Sequence, residues 1–159
     1  MIADSNGPTL RAWQQLGRSR FGRSRFMHKV RKRSPFVAVI EPAFIELRHA
    51  YCRVSIRRRR EVFDHNGNVH NLAIGALCDL AASMVTEVTI PLAMGWTARG
   101  MTIEYLRKAE SDIVAIARLD KLDWPGTPES IAVPVSAIDE NGAEVARAVI
   151  TMFVSPRRT

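Results

Sequence analysis

The chain has 159 residues, 47% hydrophobic and 25% charged, the proportions of a folded domain and not of a disordered or collagen-like chain. Its net charge of +7 is unevenly divided, with 15 Lys+Arg against 3 Asp+Glu in residues 1–60 and 8 against 13 in residues 61–159. A basic front on an acidic body points to an anionic partner, such as nucleic acid, a membrane surface or a phosphate-bearing molecule.

At this length one domain with a single sizeable core is expected. Cys52 and Cys78 are too few for a disulfide framework and lack metal-ligand spacing. Both are expected as small core residues in a reducing cytoplasm. No apolar run reaches the roughly 18 residues of a membrane span, and the N-terminus lacks the apolar stretch of a secretory signal. Residues 10–33 are Arg-rich and free of acid, a pattern shared with mitochondrial presequences, but the arginines continue to Arg60.

Residues 1–36 form a basic N-terminal arm. Leu10, Trp13 and Leu16 recur at helical spacing and predict a short helix over 9–16. The pentapeptide repeat GRSRFGRSRF follows at 17–26, too short a period for a solenoid. Phe21, Phe26 and Val30 are expected to dock the arm on the body, and Ser34-Pro35 ends it.

Residues 37–159 form the body. Residues 43–49 and 51–58 alternate, with Cys52, Val54 and Ile56 on one face and Arg53, Ser55 and Arg57 on the other, as half-buried strands do. Residues 63–70 are a loop with turn residues Asn66-Gly67. Residues 71–88 read as a helix apolar on nearly every side, which the fold must enclose. Strands are expected over 99–107, 111–121, 130–138 and 144–154, the last two joined by the hairpin signal Asp139-Glu140-Asn141-Gly142. The order is α+β, with an antiparallel sheet curled around one long central helix.

Asp79 is the most informative residue. Its helix neighbours Gly75, Ala76, Ala82 and Ser83 are all small. A carboxylate in such surroundings pairs with a buried donor, caps another element or borders a cavity. Desolvation raises its pKa and suits it to act as a base or a ground-state acid, while the plainer reading is a structural Asp bonded to a neighbouring backbone group.

Gly67, His70 and Asp79 stand as G-x-x-H-x8-D, followed by an Ala-rich helix and then GMTIEYLRKAES at 100–111. Over roughly residues 40–154 the sequence resembles the PaaI-like branch of hotdog-fold acyl-CoA thioesterases. The resemblance implies a hotdog fold, no cofactor beyond the CoA of the substrate, and a homodimer or dimer of dimers. It casts Asp79 as base or nucleophile, with the amide of Asn71, the residue after His70, as donor to the thioester oxygen. Asn71 and Asp79 lie eight residues apart, about 12 Å along a helix, so one carbonyl would be served by Asn71 of one subunit and Asp79 of another. Two positions depart from the family pattern: Asn71 replaces a Gly, and Asp64 replaces an Asn that Asn66 could supply from two positions away.

Asp64, His65 and His70 also suggest a metal site, though they lack a recognised ligand pattern, or an acid–base dyad like the Asp/His pair of hydratases of this fold. His70 equally suits a helix-entry residue that orients its loop. Arg58 and Arg60, with Arg99 and Lys108 around the following strand, are candidates for the phosphates of CoA or a charged edge that discourages aggregation. Met84, Met94 and Met101 suit an acyl tunnel or ordinary core packing. Docking of the basic arm ranks ahead of nucleic acid, since no groove-reading motif accompanies it. The expected function is hydrolysis of an acyl-CoA or related thioester. The alternative is a non-catalytic acyl-binding hotdog protein whose arm contacts nucleic acid.

Overall fold

The structure, a computed structural model, describes residues 6–121 and 123–158. Residues 1–5 of the basic arm lie outside the described residues. The remainder of the arm is two helices, α1 (Pro8–Leu16) and α2 (Arg20–Arg33), followed by a 3-10 helix over Pro35–Ile40. Pro8 occupies the first turn of α1, where a missing N–H leaves no bond unmade. The pentapeptide repeat makes the corner between the helices. Ser19 caps α2 by accepting from the Gly22 amide at 3.0 Å. Arg23 Nε donates to the Gly17 carbonyl at the end of α1, at 2.8 Å. Gly22 permits the approach, because a Cβ there would lie 1.9 Å from the Leu16 carbonyl oxygen.

The two phenylalanines of the repeat meet opposite fates. Phe26 is 2% exposed and Phe21 is 74% exposed, so Phe21 does not dock as its sequence context predicts. Five residues advance a helix by about 140°, which carries identical pentapeptides to different faces. Phe26 packs edge-on against Trp13 of α1 at 5.2 Å and against Phe44 at 5.4 Å between ring centroids. Leu10, Trp13, Phe26 and Met27 are buried in the same hydrophobic cluster as the body, so the arm and body share one core.

The body has six strands: β1 (Ala43–Arg48), β2 (Tyr51–Ile56), β3 (Met94–Tyr105), β4 (Ile113–Arg118), β5 (Glu129–Ile138) and β6 (Glu144–Pro156). They form one antiparallel sheet in the order β1-β2-β4-β5-β6-β3. The long helix α3 (Asn71–Thr89) lies against it, the hotdog arrangement. Alternation drives the sheet: Cys52, Val54 and Ile56 are buried, while Arg53 and Ser55 are only partly covered. The β5–β6 turn follows its signal, with Asp139 Oδ1 accepting from Asn141 and Ala143, both at 2.9 Å, and Gly142 at φ 78°. Pro134 is tolerated within β5 because the pairing with β4 reaches only from Val135 to Ile138.

Three local features differ from the sequence expectation. β2 ends at Ile56, so Arg57–Arg60 do not alternate as strand residues, and Arg60 opens a single 3-10 turn over Arg60–Val62. β3 begins at Met94, five residues early, and most of its side chains are exposed on both faces. Helix α3 is not enclosed on every side. It has the length and apolarity of a membrane span, but 67% of that window is buried in the fold. Its open stripe runs through Leu72, Ala76, Asp79, Ser83 and Glu87.

Candidate active site

The segment before α3 is a compact loop closed by a bridge between Phe63 and Val69. Asp64 organises it: Oδ1 accepts from the amides of Asn66 at 2.8 Å and Asn68 at 3.0 Å. Partial desolvation pushes this carboxyl up, but those two amides, with His65 and His70 nearby, outweigh it and hold Asp64 below the usual carboxylate range. Gly67 takes φ 77° at the tip, where a side chain would be strained. Asn66 Nδ2 lies 3.1 Å from His65 Nε2. Arg58 is also committed to the loop: its guanidinium donates to the Gly67 carbonyl at 2.8 Å and lies over the Phe63 ring at 4.6 Å. Asp64, Asn66, Gly67 and Arg58 therefore shape the loop together.

His70 is the N-cap of α3, its Nδ1 accepting from the Leu72 amide at 3.0 Å. That bond fixes the ring as a helix-entry residue. The Asn71 amide, at the first position of the helix, donates to no acceptor among the described residues. It stands at the positive end of the helix, where a developing oxyanion is favoured. Tyr105 of β3 braces this turn by donating its hydroxyl to the Asn71 carbonyl at 3.0 Å. Its oxygen lies over Gly75, 3.6 Å from where a Cβ there would stand, an ordinary contact distance. Burial and nearby Cys78 raise the Tyr105 phenol. Apart from its place in the strand motif, nothing in the sequence marks Tyr105.

Asp79 lies two turns along α3 on the open stripe, exposed at the surface of the chain and lining a cavity of about 590 Å³. The apolar groups around it desolvate the carboxyl and raise its pKa. Cys78 beneath it is pushed up to about 12 by burial and by Asp79, an inert thiol. The opposite wall of the cavity comes from the arm, through residues such as Ala12, Phe26, Val30 and Phe36. Reading the arm apart from the body gave no sign of this.

The remaining cationic candidates scatter. Arg99 sits at the bulge of β3 against β6, its guanidinium 3.5 Å from the Phe153 ring centroid. Arg60 and Lys108 are exposed, and Lys108 precedes Ala109, whose carbonyl accepts from Val69 of the loop at 2.8 Å. Met84 and Met94 are buried and Met101 is exposed; only Met84 lines the cavity. Among the described residues no group of three His, Cys, Asp or Glu side chains could hold a metal ion.

Within one chain, then, a free amide and a carboxylate of raised pKa stand on one helix about 12 Å apart, too far to act on one carbonyl carbon. Both belong to the open side of α3, beside the long strand β3 at the edge of the sheet.

No curated protein sequence matches the chain significantly. Among solved structures, the genomics target APC5556 is 38% identical, with 94% of this chain and 97% of that chain covered and a TM-score of 0.81. The thioesterase HI1161 from Haemophilus influenzae shares the fold at 11% identity, over 83% of this chain and 90% of that one, with a TM-score of 0.70. Protein smu.793 from Streptococcus mutans, crystallised with acetyl-CoA, does so at 22% identity, over 73% and 90%, with a TM-score of 0.60. The family described as a domain of unknown function, DUF4442, matches residues 22–154, from within α2 to the last strand, and the chain is a hotdog-fold member of that family.

Proposed function

We propose that the protein hydrolyses an acyl-CoA or related acyl thioester at two equivalent sites shared across a homodimer. The observation that carries this reading is the separation of the free Asn71 amide from the Asp79 carboxylate on the same helix. A two-fold axis near β3 supplies what one protomer lacks, bringing Asn71 of one chain toward Asp79 of the other. β3 suits that role, since an edge strand with eight of its 12 residues exposed is otherwise an invitation to aggregate.

At such a site Asp79 takes a proton from water, and the hydroxide oxygen bonds to the thioester carbonyl carbon. The electron pair of the C=O bond moves to oxygen, stabilised by the Asn71 N–H. Collapse of the tetrahedral species breaks the C–S bond, and the thiolate leaves with the proton that Asp79 held. The raised pKa of Asp79 brings its basicity closer to neutrality, where a general base works best. His70 and Tyr105 position the helix turn that presents the amide. Arg60 and Lys108, at the border of the loop, serve the phosphates of CoA. Two buried free thiols suit a reducing cytoplasm.

Other proteins with this fold carry thioesterase activity or acetyl-CoA, which supports the substrate class. The test is release of free thiol from a panel of acyl-CoAs by the purified chain and by Asp79→Asn. The variant should lose about 10²–10⁴-fold in kcat while keeping the oligomeric state of the parent. Acyl-CoA binding without thiol release would favour a non-catalytic acyl-binding protein, and an Asp79→Asn rate equal to the parent would remove Asp79 from the chemistry.

A further inference from the structure

The cavity beside Asp79 is lined by α3 as far as Glu87. Its floor is the open stripe of α3, and its roof is the basic arm. Glu87, eight residues beyond Asp79 and therefore about 12 Å along the helix, has a side chain only 13% exposed. Its oxygens are engaged. Oε2 accepts from Trp96 Nε1 at 2.6 Å, and Oε1 accepts from Thr9 Oγ1 at 3.3 Å and lies 3.9 Å from Arg33 Nη2. Arg33 Nη1 in turn donates to Thr9 Oγ1 at 3.2 Å. This latch ties α1 and α2 to α3 and β3 at the last α3 residue that lines the cavity. Between Asp79 and the latch the walls are mainly apolar: Ala12, Phe26, Val30, Leu80 and Met84, with Ser83 as the intervening polar residue of the helix stripe.

On the reading that Asp79 acts at a thioester, we infer that this cavity takes the acyl chain, and that the arm makes the protein selective for an unbranched aliphatic acyl group of medium length. A chain leaving the carbonyl carbon and running from Asp79 toward Glu87 meets apolar walls and then a carboxylate already satisfied by three partners. An acetyl group leaves the space unfilled. A palmitoyl group must break the latch or turn back out of the cavity. A benzoyl group fills only the end near Asp79. Lys29 and Arg33, which also line the cavity, are arm cations whose place there a purely nucleic-acid role does not explain.

The experiment measures kcat/KM for thiol release from acetyl-, benzoyl-, hexanoyl-, decanoyl- and palmitoyl-CoA. In parallel it measures equilibrium binding of S-ethyl-CoA and S-decyl-CoA, thioethers that cannot be hydrolysed. Because a methylene in an apolar pocket is worth on the order of 10-fold at most sites, decanoyl-CoA should exceed acetyl-CoA by well over 10-fold, and S-decyl-CoA should bind correspondingly tighter than S-ethyl-CoA. Ala12→Phe fills the cavity from the arm and Ser83→Leu fills it from α3. Either should cut the decanoyl rate and S-decyl-CoA affinity roughly 10-fold or more relative to the two-carbon ligands. Trp96→Phe removes the indole donor to Glu87 and should move the optimum toward palmitoyl-CoA.

Two results separate this inference from the hydrolysis it rests on. Tight S-decyl-CoA binding, weakened by either filling substitution but without thiol release from any substrate, would leave the acyl cavity standing and overturn the hydrolysis. Thiol release with a flat chain-length profile, unchanged in Ala12→Phe and Ser83→Leu, would overturn the cavity's role while the hydrolysis stands. A preference for acetyl- or benzoyl-CoA would overturn it as well.

Discussion

The tandem pentapeptide offers an internal control for the packing of the arm. Phe26→Ala removes a ring held against Trp13 and Phe44 in the shared core, and a buried Phe-to-Ala truncation costs about 3–5 kcal/mol through lost transfer and a residual cavity. Phe21→Ala removes the same ring from a different face, where it is exposed, and should change stability by no more than about 0.5 kcal/mol. For a chain of this size each kcal/mol moves the midpoint by about 2–4 °C, so Phe26→Ala should melt about 6–20 °C lower and Phe21→Ala within about 2 °C of the parent. Urea unfolding followed by far-UV circular dichroism and by tryptophan fluorescence checks both variants. Trp13 of the arm and Trp96 of the body should report one coincident transition. Equal small effects of the two substitutions, or an arm transition well before that of the body, would refute the shared core.

The Asp79 carboxyl gives a signed pH dependence. Its pKa is raised in the fold by desolvation, so the rate should rise with pH through a value above the ordinary aspartate range, as the base ionises. The associated stability is present in full below the unfolded-chain value and is lost as pH rises through the raised folded value. Asp79→Asn should therefore melt slightly higher than the parent at neutral pH, and the gap should close in acid. Tyr105→Phe keeps the ring and deletes the hydrogen bond to the Asn71 carbonyl. It should cost about 0.5–1.5 kcal/mol and lower kcat more than it raises KM, because the braced amide acts on the developing oxyanion. Paired steady-state and melting measurements would show it.

The body was legible because its elements announce themselves in period and turn chemistry. Cys52, Val54 and Ile56 alternate with polar neighbours, Asn141-Gly142 marks the hairpin, and the largely apolar helix from Leu72 to Val88 needs the cover that the flanking strands supply. β3 was read short because its start has no period-two burial pattern: Met94 is buried, Gly95 and Trp96 are half-buried, and the strand is then exposed at every residue from Thr97 to Thr102. Helix α2 was not read because seven of its 14 residues are Arg or Lys; its few buried residues, Gly22, Phe26 and Met27, make no full apolar stripe. The spacing of His70 and Asp79 found the helix entry and the carboxylate. It left unseen that Asp79 faces outward and that the arm roofs the cavity beside it, since both depend on how α1 and α2 fold back over α3. The Arg57–Arg60 run divided its work, with Arg58 spent on the loop and Arg59 paired with Glu41 and Glu61 at 3.7 and 3.2 Å.

The central claim is that each site draws its oxyanion donor from one chain and its base from the other. Asn71 occupies the first helical position, where proline is well accepted and removes only the N–H, and His70 at φ −62°, ψ 139° already has the backbone that precedes a proline. Asn71→Pro should therefore keep the helix and lose roughly 10²–10³-fold in kcat. Asp79→Asn loses the base. When the two inactive variants are unfolded together in equal amounts and refolded, half of the dimers are mixed, and each mixed dimer holds one doubly damaged site and one intact site. The account predicts that thiol release returns to roughly a quarter of the parent rate; a mixture as inactive as its two components would contradict it.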